Sequence, residues 1–179
     1  MHTIIPADEN PALREIARDV PISEIAEKPI QGLIADMRTL LSKEEYGVAL
    51  AAPQVGKSLK IFVISGEAIQ KRNKKYGEGK SEDDQPIRDA VYINPTLEKV
   101  SRKKLPKHEG CLSIRGKWGI VPRAEKCTIH AWDEAGKEFT RGASGLLAHI
   151  FQHEMDHLEG ILYPDKATNI YDDKETTEE

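Results

Sequence analysis

The chain has 179 residues, a formal net charge of −4, and 39% hydrophobic against 31% charged residues, the balance of a single soluble globular domain rather than a disordered chain. The acidic excess offers no basic footprint for a dedicated nucleic-acid binder. No stretch approaches the roughly 20 apolar residues of a membrane helix, and residues 1–10 hold no basic segment followed by an apolar run, so a cytoplasmic protein with no membrane partner is expected.

Asn10 followed by Pro11 predicts a capped short helix over 11–18. Ile30, Leu33, Ile34, Met37, Leu40 and Leu41 recur at helical spacing, which predicts a longer helix over 23–45 that Pro29 kinks or restarts. The β-branched and apolar run Ile61, Phe62, Val63, Ile64 reads as a buried strand. Residues 71–89 are charged, contain Gly77 and Gly79 and lack periodicity, so an exposed connection is expected there. Strands are predicted over 90–94, 97–101 and 120–121, and a hairpin pairs 127–132 with 137–141 through Asp133, Glu134, Ala135 and Gly136. A last helix is predicted over 144–159, with Leu147, Phe151, Met155 and Leu158 as one apolar stripe and Gly160 as its stop. The acidic end, 169–179, is expected to be a disordered tail behind one catalytic domain over 1–168. Early strands and a late helix predict an α+β fold, with antiparallel strands packed around that helix.

The last helix carries His153, Glu154, Met155, Asp156 and His157, an H-E-x-x-H run. Residues four apart stack on one helix face, so two imidazoles can converge on one cation, with Glu154 beside it as a general acid and base. His149 continues the spacing, but His149 and His157 lie about 12 Å apart along the axis and cannot share an ion. Only the later pair encloses a carboxylate, so His149 reads as a pocket-wall residue. Asp156 lies on the flank opposite Glu154 and is poorly placed as a ligand. A catalytic ion needs a third protein ligand. Cys111, in the run Glu109, Gly110, Cys111, Leu112, Ser113, is the candidate, since a thiolate binds metals strongly. Cys127 alternates with Ile129 and Ala131 and reads as core, and His108 would face away from Cys111 in an extended segment. A disulfide between the two cysteines stays open.

The runs 109–113 and 152–157, together with Gly47, Val48, Ala49, Leu50, Ala51, Ala52, Pro53 and Gln54, resemble the three signature motifs of peptide deformylases in the family's order. The likeness extends through Val121, Pro122 and Arg123. It implies that Cys111, His153 and His157 bind one divalent ion, Fe(II) in the cell with Zn(II), Ni(II) or Co(II) as substitutes, and that Glu154 moves the proton of a metal-bound water. It also implies oxyanion donors from the Gln54 side chain and the Leu112 backbone N–H. The substrate implied is the N-formylmethionine end of a nascent polypeptide, a role compatible with ribosome association. Val48, Ala49 and Gly110 would meet its backbone, and Leu146, His149 and Ile150 would wall the methionine pocket. The chain departs from the family pattern at Ala49, usually glycine, and at Trp118, where many relatives have arginine. A zinc endopeptidase shares H-E-x-x-H but takes its third ligand downstream, and a structural metal-binding module would leave Glu154 idle.

Overall fold

The run from Ile61 to Ile64 alternates its side chains between two faces, and all four residues are buried, the mark of a strand covered on both sides. In the computed structural model, which describes residues 2–76 and 88–173, this run is β2, an inner strand of the larger sheet. A first helix, α1 (Lys28–Leu41), precedes β1 (Ala49–Ala51); α2 (Gly66–Tyr76) follows β2. Then come β3 (Ala90–Glu98), β4 (Lys104–Cys111), β5 (Ile114–Ala124), β6 (Lys126–Trp132), β7 (Glu138–Ser144), α3 (Gly145–Leu158) and β8 (Asn169–Asp172). The strands form a five-stranded sheet ordered β1-β2-β3-β6-β7 and a three-stranded sheet ordered β4-β5-β8. Every strand pairing in both is antiparallel.

Phe62, Ile64 and Tyr92 turn toward α3, where Phe62 stacks on Tyr92 at 4.7 Å between ring centroids and Phe151 meets Tyr92 at 5.1 Å. Ile61, Val63, Val91 and Ile93 turn the other way and pack with Leu33, Ile34 and Met37 of α1. α3 is held between the layers, touching β1, β3, β6 and β7 of one sheet and β5 of the other. The α+β arrangement around a late helix is therefore the one the sequence predicts. It suspends the H-E-x-x-H residues between two sheets.

Several boundaries differ from expectation for local reasons. Pro29 lies in the first turn of α1, so that helix starts at the proline, and Ile22–Glu24 forms a separate 3-10 turn. The Asn10 side chain accepts the Ala12 N–H, but the helix it caps is a 3-10 turn over Pro11–Arg14 that stops at an extended Glu15. The two strands expected over 90–101 are one, interrupted by a register shift between Ile93 and Thr96. Residues 71–76, expected as a connection, belong to α2; residues 77–87 lie outside the described residues. The expected tail begins as an ordered strand, because β8 pairs with β5 from Lys117↔Asp172 to Ile120↔Asn169, and 174–179 lie outside the described residues. No helix among the described residues is long and apolar enough to cross a membrane.

Candidate metal centre

Cys111 ends β4 at a two-residue turn, Leu112 and Ser113, that leads into β5. Opposite it, His153 and His157 project from one face of α3. The Cys111 Sγ and one ring nitrogen from each histidine lie within 4.8 Å of one another, and Sγ is 3.3 Å from His157 Nε2. Sulfur and nitrogen donors on one tetrahedral zinc ion would stand roughly 3.5 Å apart, so the group fits a divalent cation. Both cysteines are free thiols; Cys127 is buried in the core and its pKa is pushed up by burial to about 11, an inert residue. His108 instead contacts the Tyr171 hydroxyl, away from the centre.

Glu109, two residues before Cys111 and so on the same face of β4, organises what surrounds the donors. Its carboxyl suffers a burial penalty, but hydrogen bonds from Arg123, His149 and His153 outweigh it and hold the group ionised, well below the usual carboxylate range. An ionised carboxylate only accepts, so the facing nitrogens must donate. Arg123 donates Nε to Oε1 at 2.6 Å and Nη2 to Oε2 at 2.9 Å. His149 Nε2 donates to Oε1 at 2.6 Å and His153 Nδ1 to Oε2 at 2.8 Å. The last bond fixes the His153 ring and leaves its Nε2 for a cation. Arg123 reaches on to Asp156 at 2.6 Å, and Asp156 also takes Lys166. Asp156 thus anchors the Arg123 guanidinium of β5 and lies outside the Cys111, His153 and His157 group. In His157 burial, reinforced by the charge on His153, lowers the pKa well below the ordinary value and keeps the imidazole neutral.

Glu154 is 4% exposed. Burial raises its carboxyl to about 7, with the Glu109 charge adding to the rise and His153 and Arg123 opposing it. Its Oε2 and the His157 Nδ1 are buried with no hydrogen-bond partner among the described residues. Gln54 lies in the 3-10 turn Ala52–Val55, 2% exposed rather than on an open turn. Its Oε1 accepts the Ala51 N–H at 2.8 Å, which turns the amide nitrogen toward Cys111 Sγ at 3.4 Å and Ser113 Oγ at 3.5 Å.

Gln54, Glu109, Cys111, His153 and Glu154 line one cleft of about 470 Å³ whose lining also includes Val48, Ala49, Gly110, Leu112, Leu146 and Ile150. His149 lines it too, with Nε2 engaged by Glu109. β1 and β4, which flank the cleft, are both edge strands. The sequence reading assigned no role to Glu109, Arg123 or Ser113. The signal available was their spacing: Glu109 alternates with Cys111, and Arg123 with the buried Val121, so charged residues stood at inward positions.

The described residues thus gather a Cys–His–His group able to hold a metal ion inside an α+β fold of two antiparallel sheets. The sequence profile described as Polypeptide deformylase matches residues 2–173. The chain is 40% identical over 159 residues to "Peptide deformylase 1A, chloroplastic" of Solanum lycopersicum, covering 88% of this chain and spanning only 56% of that protein. It is 37% identical over 167 residues to "Peptide deformylase" of Desulforudis audaxviator, covering 93% and 94% of the two chains. The crystal structure of a peptide deformylase from Legionella pneumophila superimposes with a TM-score of 0.76 at 33% identity, over 94% of this chain and 86% of that one. The chain belongs to the polypeptide deformylase family.

Proposed function

We propose that this chain hydrolyses the formyl group from N-formylmethionyl peptides, with Cys111, His153 and His157 holding one divalent metal ion. The observation that carries the reading is the convergence of those three donors beside a buried, unpartnered Glu154 oxygen and the amide nitrogen of Gln54. A cation held there would acidify a water and polarise the formyl carbonyl. Glu154 would take the proton from the attacking water and return it to the departing amine; a carboxyl near 7 is matched to both halves of that exchange. Gln54, anchored through Oε1, turns its N–H toward the developing oxyanion, and the Leu112 backbone N–H is the second donor; each such donor contributes about 2.7 to 4 kcal/mol.

The substrate backbone would add to the open edges of β1 and β4 near Val48, Ala49 and Gly110. Leu146 and Ile150 would receive the methionine side chain, with His149 beside them bound to Glu109. The mixed thiolate and imidazole set accepts Fe(II), Zn(II), Ni(II) and Co(II), and Fe(II) is the occupant we assign in the cell.

The test is anaerobic purification with metal analysis, followed by formate release from formyl-Met-Ala-Ser against the acetylated peptide. About one metal ion per chain and formate from the formylated peptide alone are expected. In Cys111→Ser metal content falls sharply. Cleavage of an internal peptide bond instead of formate release would overturn the reading in favour of an endopeptidase.

A further inference from the structure

β8 leads to the cleft, which Asp173 lines just past the strand, and its residues are tied to the strands beside it. Tyr171 meets His108 of β4, and Lys117 of β5 pairs with Asp172. Asp173, just past the strand, donates its backbone N–H to the Gly116 carbonyl at 2.9 Å. Its side chain accepts the indole Nε1–H of Trp118 at 2.9 Å. An indole has one polar atom, so that single bond pins the polar edge of the ring.

The plane has a defined resting place. A Cβ built on Gly110 would lie 3.4 Å from each of Trp118 Cδ2, Cε2 and Cε3, a point above the six-membered ring. The open side of Gly110 is therefore occupied by the indole face, one residue from Cys111. Trp118 and Asp173 both line the cleft, and Trp118 keeps part of its surface exposed there.

We propose that Trp118 is the platform for the side chains that follow formylmethionine, and that Asp173, delivered by β8, is the residue that positions it. A partly exposed indole fixed in one orientation offers a π-face without the cost of ordering a mobile ring, and it favours an aromatic side chain over none. Asp173, just past β8, is on this basis part of the substrate cleft. The inference rests on the deformylase reading for the direction in which the peptide runs.

The experiment compares kcat/KM for formyl-Met-Ala-Phe and formyl-Met-Ala-Gly within each protein, by formate release from the metal-loaded enzyme. The wild-type chain is expected to favour the Phe peptide by about fivefold, mainly through KM. Trp118→Ala brings the ratio to near one. Asp173→Ala lowers it, whereas Asp173→Asn keeps it, because the amide oxygen still accepts the indole N–H. A ratio near one in the wild type, or an unchanged ratio in Trp118→Ala, overturns the platform. A wild-type ratio in Asp173→Ala overturns the positioning role. Formate from neither peptide would overturn the deformylase reading instead, and binding separates the two. In Trp132→Phe protein, Trp118 fluorescence reports binding of unformylated Met-Ala-Phe and Met-Ala-Gly, and equal affinities there sink the platform whatever the turnover.

Discussion

Replacing Arg123 with methionine removes a group that, with Glu109, ties β4, β5 and α3 together beneath the metal centre. The guanidinium makes three charge-assisted hydrogen bonds of 2.6, 2.9 and 2.6 Å to Glu109 and Asp156, and the three side chains are 5%, 2% and 9% exposed. Methionine fills much of the volume but strands two buried carboxylates, a loss of about 3 to 5 kcal/mol for a broken buried pair. Lys166 still pairs with Asp156 and two imidazoles still face Glu109, so about 3 kcal/mol is expected. The pH dependence follows from Glu109, whose carboxyl is held far below its ordinary 4.5. The stability it contributes is present above that value and is lost as pH falls through the folded one. Wild type and variant should therefore differ most at pH 7.5, the gap narrowing by about 1 kcal/mol at pH 3.5. Urea unfolding of the metal-stripped proteins, at matched m-values, measures both. A loss under about 1 kcal/mol at pH 7.5, or a gap that widens in acid, would refute the reasoning.

The Glu154 carboxyl gives the opposite sign. Its folded pKa of about 7 stands above the ordinary 4.5, so folding binds the proton, and the cost of ionising it is full above pH 7 and absent below about 4.5. Metal-free Glu154→Gln should gain up to about 3 kcal/mol at pH 8 and nothing in acid, followed by thermal unfolding across pH; an equal gain at both ends would sink the assignment. With metal loaded, the same variant should keep its ion and lose formate release by several orders of magnitude, as metal analysis and assay together report. Gly160, past the end of α3 at φ +74°, would place a Cβ 2.9 Å from the Arg14 carbonyl carbon and oxygen. Gly160→Ala should cost at least about 1 to 2 kcal/mol in urea unfolding, and an unchanged midpoint would mean the chain turns there without strain.

The elements read correctly from sequence are those with a local apolar signal: β2 as a continuous β-branched and apolar run, the β6–β7 hairpin by its alternation, and, by its helical spacing, α3, which runs over Gly145–Leu158 against an expected 144–159. β4 escaped because Lys104, Leu105, Pro106, Lys107 and His108 show no apolar alternation, its deepest residue being the charged Glu109. β8 escaped for the same reason, since all four of its residues are exposed and backbone pairing alone defines it. The three donor residues were legible because a helical spacing and a cysteine-bearing run each state their chemistry locally. The Arg123 network was not, since it joins residues 14 and 33 positions apart whose encounter only the tertiary fold decides. Trp118 and Asp173 meet across 55 positions, in a stretch that composition alone described as an acidic tail.

Among the described residues β1 and β4, the two strands beside the cleft, each pair with a single neighbouring strand, and sheet edges of that kind are where one protein molecule adheres to the next. Here the hazard is kept small by length and charge. β1 offers three residues, while along β4 Lys104 and Lys107 add repelling positive charge and Pro106 offers no N–H. What remains unguarded is a foothold a few residues long beside Cys111, enough for the end of a single chain to settle and too short for a neighbouring sheet to grow from.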